Sequence, residues 1–155
     1  PRSSSAASDV YKRQGDYTRD LGMEWSLSEE ELLPIRSEFV LASRFGDLEP
    51  PIDTVFIHIK EHSAYLRSCQ NVLKLGFQGK MCIHPDQVAV TNETFTPSEE
   101  EVVWSKRVIS EFERAEAEGV ASIQVDGYFV DYPIVEKAQR IVDMANLLHE
   151  LASSK

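Results

Sequence analysis

Long apolar runs, basic charge, cysteine and nucleotide-binding signatures are all scarce in this chain, and each scarcity excludes something. No uninterrupted apolar stretch approaches the roughly 20 residues that a helix needs to cross a bilayer, and no apolar segment with a small-residue cleavage pattern is present. Neither a membrane partner nor secretion is expected. Lys and Arg number 16 against 26 Asp and Glu, for a formal charge of -10. Such a surface repels phosphate backbones, so nucleic acid is not expected as a partner. Only two cysteines occur, Cys69 and Cys82, without CxxC or Cys/His ligand spacing; they read as small buried hydrophobes of a reducing compartment. That compartment is the cytoplasm, or the mitochondrial matrix in a eukaryote. GxGxxG, P-loop and GxSxG segments are absent, which removes the usual marks of dinucleotide binding, NTP binding and the hydrolase nucleophile elbow. The four histidines form no set: His58 and His62 are four apart but lack an HExxH frame.

What remains is the composition of a folded domain: 155 residues, 42% hydrophobic and 27% charged. Residues 1–14, PRSSSAASDVYKRQ, follow neither a helical nor a strand period. They read as a disordered, non-native extension resembling a translated sequencing adapter, with native sequence starting near Gly15. Ser28 with Glu31 has the capping-box form and predicts a helix reaching Phe45. The β-branched and aromatic run Thr54 to Ile59 predicts a buried strand. Leu66, Cys69, Val72 and Leu73 share a helical face within 63–75, and Gly76 is placed to end that helix. A second strand is predicted over Lys80 to Ile83. Strand, helix and strand with short connections form a βαβ unit and imply a parallel sheet.

Beyond Pro85 the character changes. Thr96, Pro97 and Glu99 supply an N-cap, a first-turn proline and an acidic third position for a helix reaching about Glu118. Asp126-Gly127 between two short apolar strands predicts a two-residue type I′ hairpin. Pro133 opens a last helix with Ile134, Ala138, Ile141, Ala145 and Leu148 on one face. The expected organisation is therefore a first part over 15–90, a second over 91–152 and a tail over 153–155.

The residues able to carry chemistry are acidic. Asp16 and Asp20 lie in GDYTRDLG, where glycines permit tight turns and carboxylates suit a hard cation. Taken alone they read as solvated turn residues. Asp53 opens an apolar run and can cap the preceding loop. Asp131 precedes Tyr132-Pro133 and reads first as a helix cap. His84 ends a strand, where barrel enzymes place functional side chains.

The segments GDYTRDLG, PIDTVF, LGFQGKMCIHPDQVAVTNETFTPSEEEVVW and VDGYFVDYPIVEKAQRIV resemble, in order and spacing, the C-terminal half of citrate lyase β-subunit-like CoA ester lyases of the HpcH/HpaI aldolase and citrate lyase superfamily. The resemblance runs from Gly15 to about Met144. It implies an α/β fold, the last strands and helices of a (β/α)₈ TIM barrel followed by a helix, β-hairpin and helix lid; such a barrel usually needs about 250 residues. It implies retro-Claisen cleavage of a 3-hydroxyacyl-CoA, such as malyl-CoA, citramalyl-CoA or β-methylmalyl-CoA, to acetyl-CoA or propionyl-CoA and a 2-oxo acid. By the same resemblance Asp16 is a ligand of Mg²⁺, with Gly15 standing where the family has Glu. The second ligand, a Glu on an earlier strand, and an Arg for the substrate carboxylate have no counterpart in this chain. Asp131 matches the family's lid acid/base, serving a neighbouring subunit of a homo-oligomer, a trimer or hexamer. Asp53, His84 and Pro85 fall in family-like segments and are candidates for substrate binding. Alternatives are a malyl-CoA thioesterase, a citrate lyase β subunit acting on a carrier-bound citryl thioester, and a catalytically silent fragment or helical interaction module. Taken alone, the chain is expected to expose apolar surface and to be inactive.

Overall fold

A computed structural model describes residues 17–153, which divide after Phe95 into two compact units. The first unit opens with a helical turn over 17–20. A 3₁₀ turn, Glu30–Leu32, leads directly into α1, Leu33–Phe45. The capping partner differs from the expected one. Glu31 reaches back to Ser26, accepting its backbone N–H at 2.9 Å and its hydroxyl at 2.7 Å, while Ser26 Oγ accepts the Glu29 N–H at 3.1 Å. Although partial burial opposes ionisation, the Ser26 bonds hold the Glu31 carboxyl below its ordinary range. Pro34 falls in the first turn of α1, where its missing N–H costs nothing.

The βαβ unit is present with shorter strands than expected. Strand β1, Ile52–Asp53, pairs in parallel with β2, Gly79–Lys80, in the register Ile52↔Gly79 and Asp53↔Lys80. Helix α2, His62–Leu75, connects them. The expected strand over 54–59 is not formed: Thr54 and Phe56 are buried and Ile57 and Ile59 exposed, but no neighbouring strand pairs with them among the described residues. Without a ladder an extended segment is not a strand. Helix α2 also turns differently from its predicted face. Tyr65, Ser68, Cys69 and Val72 point inward, while Leu66 and Leu73 lie on the surface. Gly76 ends α2 with φ +102°, its N–H returning to Leu73 while Phe77 N–H returns to Val72. A Cβ there would also stand 3.3 Å from Val40 Cγ1, so packing and conformation both favour glycine.

Helix α3, Pro85–Phe95, was not anticipated. It packs Val90 and Phe95 against the cluster of Phe56, Ala64, Tyr65 and Cys69, which is why the unit boundary falls at Phe95 rather than at residue 90. On α1, by contrast, Leu41 and Phe45 are 69% and 97% exposed.

The second unit follows its pattern closely. Helix α4, Glu99–Ala117, is capped by Ser98, two residues later than the expected Thr96: Ser98 Oγ accepts the Glu101 N–H at 3.1 Å and Glu101 Oε2 accepts the Ser98 N–H at 2.9 Å. Strands β3, Ile123–Val125, and β4, Tyr128–Val130, pair antiparallel across Asp126 and Gly127, whose φ values of 48° and 84° are those of a type I′ turn. Helix α5, Tyr132–Ser153, closes a core of Val108, Phe112, Val125, Val130 and Ala138. Phe112 meets the Tyr132 ring edge-on at 5.1 Å.

Candidate functional site

Register places Asp53 beside Lys80, buried residues of opposite charge on adjacent strands. The pairing is completed from the preceding elements. Arg36 on α1 grips Asp53 with two hydrogen bonds, Nε to Oδ1 at 2.9 Å and Nη2 to Oδ2 at 2.8 Å, and its Nη2 also donates to Glu29 Oε2 at 2.9 Å. Lys80 Nζ donates to Asp53 Oδ2 and stands 3.9 Å from Glu29. Ser68 on α2 donates to the same Glu29 Oε2, and Trp25 Nε1 donates to Glu29 Oε1 at 3.3 Å. Two anions and two cations therefore balance in a site closed to solvent, where burial alone would push the Arg36 guanidinium down, yet Asp53 and Glu29 hold it up. Glu29 adopts φ 53°, a left-handed conformation that directs its carboxylate into this cluster.

Asp53 is thereby held inside the cluster. Both its oxygens are engaged and its side chain is 0% exposed, so it fixes β1, β2 and α1 rather than offering a free carboxylate. Glu29, Arg36, Ser68 and Lys80 had not been singled out. The usable signal was Lys80 inside an apolar strand-like segment, since a buried lysine demands a carboxylate partner.

The turn from β2 into α3 carries His84 and Pro85. Pro85 is the first residue of α3 and exposed, and His84 Nδ1 accepts the Asp86 N–H at 3.3 Å with Asp86 Oδ2 3.5 Å away. Buried Gln87, which carries no sequence signal of its own, clamps this turn: Oε1 accepts the Ile83 N–H at 2.9 Å and Nε2 donates to the Phe56 carbonyl at 3.0 Å. His84 is thus a half-exposed imidazole on a rigidly held turn. His58, in contrast, is turned inward, Nε2 3.2 Å from the Trp25 carbonyl.

Asp131 links β4 to α5. Its Oδ1 receives the Ile134 N–H at 3.4 Å, and its backbone carbonyl accepts the N–H groups of Ile134 and Val135. This is cap geometry. The second carboxylate oxygen has no hydrogen-bond partner among the described residues. Tyr132 beside it donates to Glu116 at 2.8 Å, and Tyr128 and Phe129 are 67% and 66% exposed. Asp16 lies outside the described residues. Asp20, the other acidic residue of that segment, is exposed and pairs with Arg19 at 3.2 Å. Among the described residues no three His, Cys, Asp or Glu side chains gather to hold a metal ion. They do not by themselves fit Mg²⁺.

A family model described as HpcH/HpaI aldolase/citrate lyase matches residues 10–85, the span that contains the parallel βαβ unit and the ion cluster. Over those residues the chain is similar to this family. It is 34% identical over 134 residues to the citrate lyase subunit beta of Leuconostoc mesenteroides subsp. cremoris, covering 86% of this chain and 44% of that protein. It is 30% identical over 135 residues to the mitochondrial citramalyl-CoA lyase of Rattus norvegicus, covering 87% and 40%. The chain thus spans under half the length of these relatives. In fold it is similar to CitE of Mycobacterium tuberculosis, solved in complex with magnesium, acetoacetate and coenzyme A, with a TM-score of 0.67 at 22% identity over 83% of this chain and 48% of that one. The fold of the described residues is helix-rich α/β with small sheets.

Proposed function

We propose that this chain is the C-terminal part of a (β/α)₈-barrel CoA ester lyase, contributing final barrel elements and a helix, hairpin and helix lid. It would act on a 3-hydroxyacyl-CoA thioester such as citramalyl-CoA, malyl-CoA or β-methylmalyl-CoA. The observation that carries this reading is likeness over more than four-fifths of the chain to two lyases of different substrates, spanning both units. The parallel pairing of β1 and β2 through a helix supports the barrel assignment, since such pairing is the repeating step of that architecture.

Retro-Claisen cleavage removes the proton of the 3-hydroxyl, breaks the bond between C2 and C3, and leaves a thioester enolate beside the new 2-oxo acid. The enolate must then be protonated at carbon. Asp131 has the form this task requires. One oxygen is anchored by a backbone N–H at the start of α5, and the other is unengaged, so the group is oriented without being consumed. Exposed Tyr128, Phe129 and Tyr132 flank it and supply apolar cover against water over the active site of a neighbouring subunit in a homo-oligomer. Asp53 acts at one remove, holding the strands that lead to the His84-Pro85 turn, and His84, half-exposed on that turn, would meet the substrate. Magnesium, present in the CitE complex, would draw on Asp16 together with donors outside the described residues; when bound it polarises the 2-oxo acid oxygens.

The likeness to the Leuconostoc protein favours a second reading, a citrate lyase β subunit acting on a carrier-bound citryl thioester. One experiment separates them. The protein completed upstream of Gly15 is offered citramalyl-CoA and, separately, a citryl thioester on a carrier. Acetyl-CoA and pyruvate from the first identify the CoA ester lyase. Turnover of the second alone identifies the carrier-dependent subunit, and turnover of neither, with malyl-CoA and β-methylmalyl-CoA also left intact, rejects the proposal.

A further inference from the structure

Asp131 is held from two sides, and only one of them is its own helix. Tyr132 opens α5, and its ring and its hydroxyl are both pinned to α4. Phe112 meets the ring edge-on at 5.1 Å, and Glu116 Oε1 accepts the hydroxyl at 2.8 Å. A side chain fixed at both points fixes its own backbone, and that backbone follows directly on Asp131. Glu116 is oddly placed for a helix. It lies in the last turn of α4, where the negative end of the helix dipole favours Arg114 and opposes a carboxylate. Such a departure from the local rule is expected where function requires the residue. The turn of the hairpin has its own anchor: Arg107 Nη1 stands 3.0 Å from Asp126 Oδ1, its Nε donates to Glu111 Oε1 at 2.7 Å, and Trp104 meets the Tyr128 ring at 6.2 Å. The hairpin therefore stays on α4 without Tyr132. What the bond from Tyr132 to Glu116 adds is the placement of the α5 start.

We propose that Glu116 is a positioning residue for Asp131, acting through the Tyr132 hydroxyl to hold the Asp131 carboxyl at the angle that delivers a proton to carbon. This inference rests on the assignment of Asp131 to the chemistry in the reading above. The Asp131 carboxylate takes one hydrogen bond, from Ile134 N–H, and at 3.4 Å that bond is long. A single long cap bond lets the group swing, so the direction of its unengaged oxygen depends on where the α5 start sits. Backbone bonds from Ile134 and Val135 to the Asp131 carbonyl tie the main chain to α5, and Tyr132 ties the first turn of α5 to α4. Protonation of an enolate carbon demands alignment of acid and carbon, whereas binding of the thioester does not draw on this bond. Its loss therefore falls on kcat and not on KM. The proton does not pass through Glu116: Asp131 gives it to carbon, and Tyr132 keeps its own, held above the ordinary phenol range by the hydrogen bond to Glu116 and by the charge there.

The test uses the completed protein with whichever thioester it cleaves. It compares Tyr132→Phe, Glu116→Ala, Glu116→Gln and the control Glu113→Ala, an exposed glutamate one turn earlier on α4. Tyr132→Phe and Glu116→Ala should each lower kcat about tenfold, the scale of one hydrogen bond to a charged acceptor, with KM unchanged. Combining them should lose no more than either alone, because both break the same bond. Glu116→Gln keeps an acceptor for the hydroxyl and should recover most of the rate, while Glu113→Ala should match the parent. Urea midpoints should stay at the parent's value throughout, since the bond is exposed. Equal kcat in Tyr132→Phe and the parent, a loss carried by KM, multiplicative losses in the double variant, or Glu116→Gln as slow as Glu116→Ala would each overturn the proposal. A rate loss matched by a lowered urea midpoint marks the bond as merely structural and overturns it as well. A parent that cleaves no thioester removes the underlying reading and this inference with it, an outcome distinct from an active parent indifferent to the variants.

Discussion

Replacing Asp53 by Asn tests whether the ion cluster is what holds β1, β2 and α1 together. The change is nearly isosteric, so little packing is lost. It leaves Arg36, with 4% of its side chain exposed, and Lys80, with 0%, facing Glu29 as their one remaining carboxylate. Two buried cations against one anion is the condition under which removing a partner is expensive, about 3–5 kcal/mol. At about 1.4 kcal/mol per factor of ten, the folding constant falls by about two to three and a half orders of magnitude. With a urea slope near 2 kcal/mol/M, the midpoint drops by about 1.5–2.5 M, readable by circular dichroism. Glu136→Ala is the control: its pairing with Arg140 at 3.9 Å is exposed on both sides and should cost under about 1 kcal/mol. The double variant Asp53→Asn with Lys80→Met restores one anion to one cation and should be less destabilised than the two single changes combined. If Asp53→Asn costs no more than the control, the cluster does not hold the unit together and the reasoning fails.

Three further outcomes follow from named contacts. Ser98→Ala removes the capping box of α4 and should lower stability by about 1 kcal/mol, with Ser98→Asp recovering most of it in the same melts. Because Ser26 holds the folded Glu31 carboxyl below its unfolded value, that contribution is complete above the ordinary carboxylate range and is lost as pH falls through the lowered value. Urea midpoints of Ser26→Ala and the parent should therefore differ at neutral pH and converge in acid; a pH-independent difference would refute the linkage. In the completed protein, Asp131→Asn should keep its fold, since Asn caps helices as well as Asp does. It should abolish thioester cleavage while Mg²⁺ binding, followed by calorimetry, is unchanged; near-normal turnover would remove Asp131 from the chemistry.

Much of the local architecture was legible because single residues dictate it. Gly76, Asp126-Gly127 and the periodic face of α5 each leave the backbone one comfortable choice, and all three elements form as expected. What escaped depends on partners distant in sequence. The run over 54–59 has strand composition, but a strand exists only through its ladder, and pairing among the described residues stops at Asp53 and Lys80. Helix α3 was hidden because Thr91 and Thr94 weaken its pattern; each instead donates its hydroxyl to the carbonyl four residues back. The His84-Pro85 motif was visible as residues, yet Gln87, which holds it in place, looks in sequence like any surface glutamine. In the same way Glu29 and Arg36 are ordinary helix-terminus charges until the fold brings them to Asp53 and Lys80.

Product analysis tests the proposed carbon–carbon bond cleavage most directly. The completed protein is incubated with Mg²⁺ and citramalyl-CoA, and the products are separated by liquid chromatography with mass detection. Acetyl-CoA and pyruvate in equal amounts are the predicted result. Free CoA with citramalate, the products of thioester hydrolysis, would contradict it.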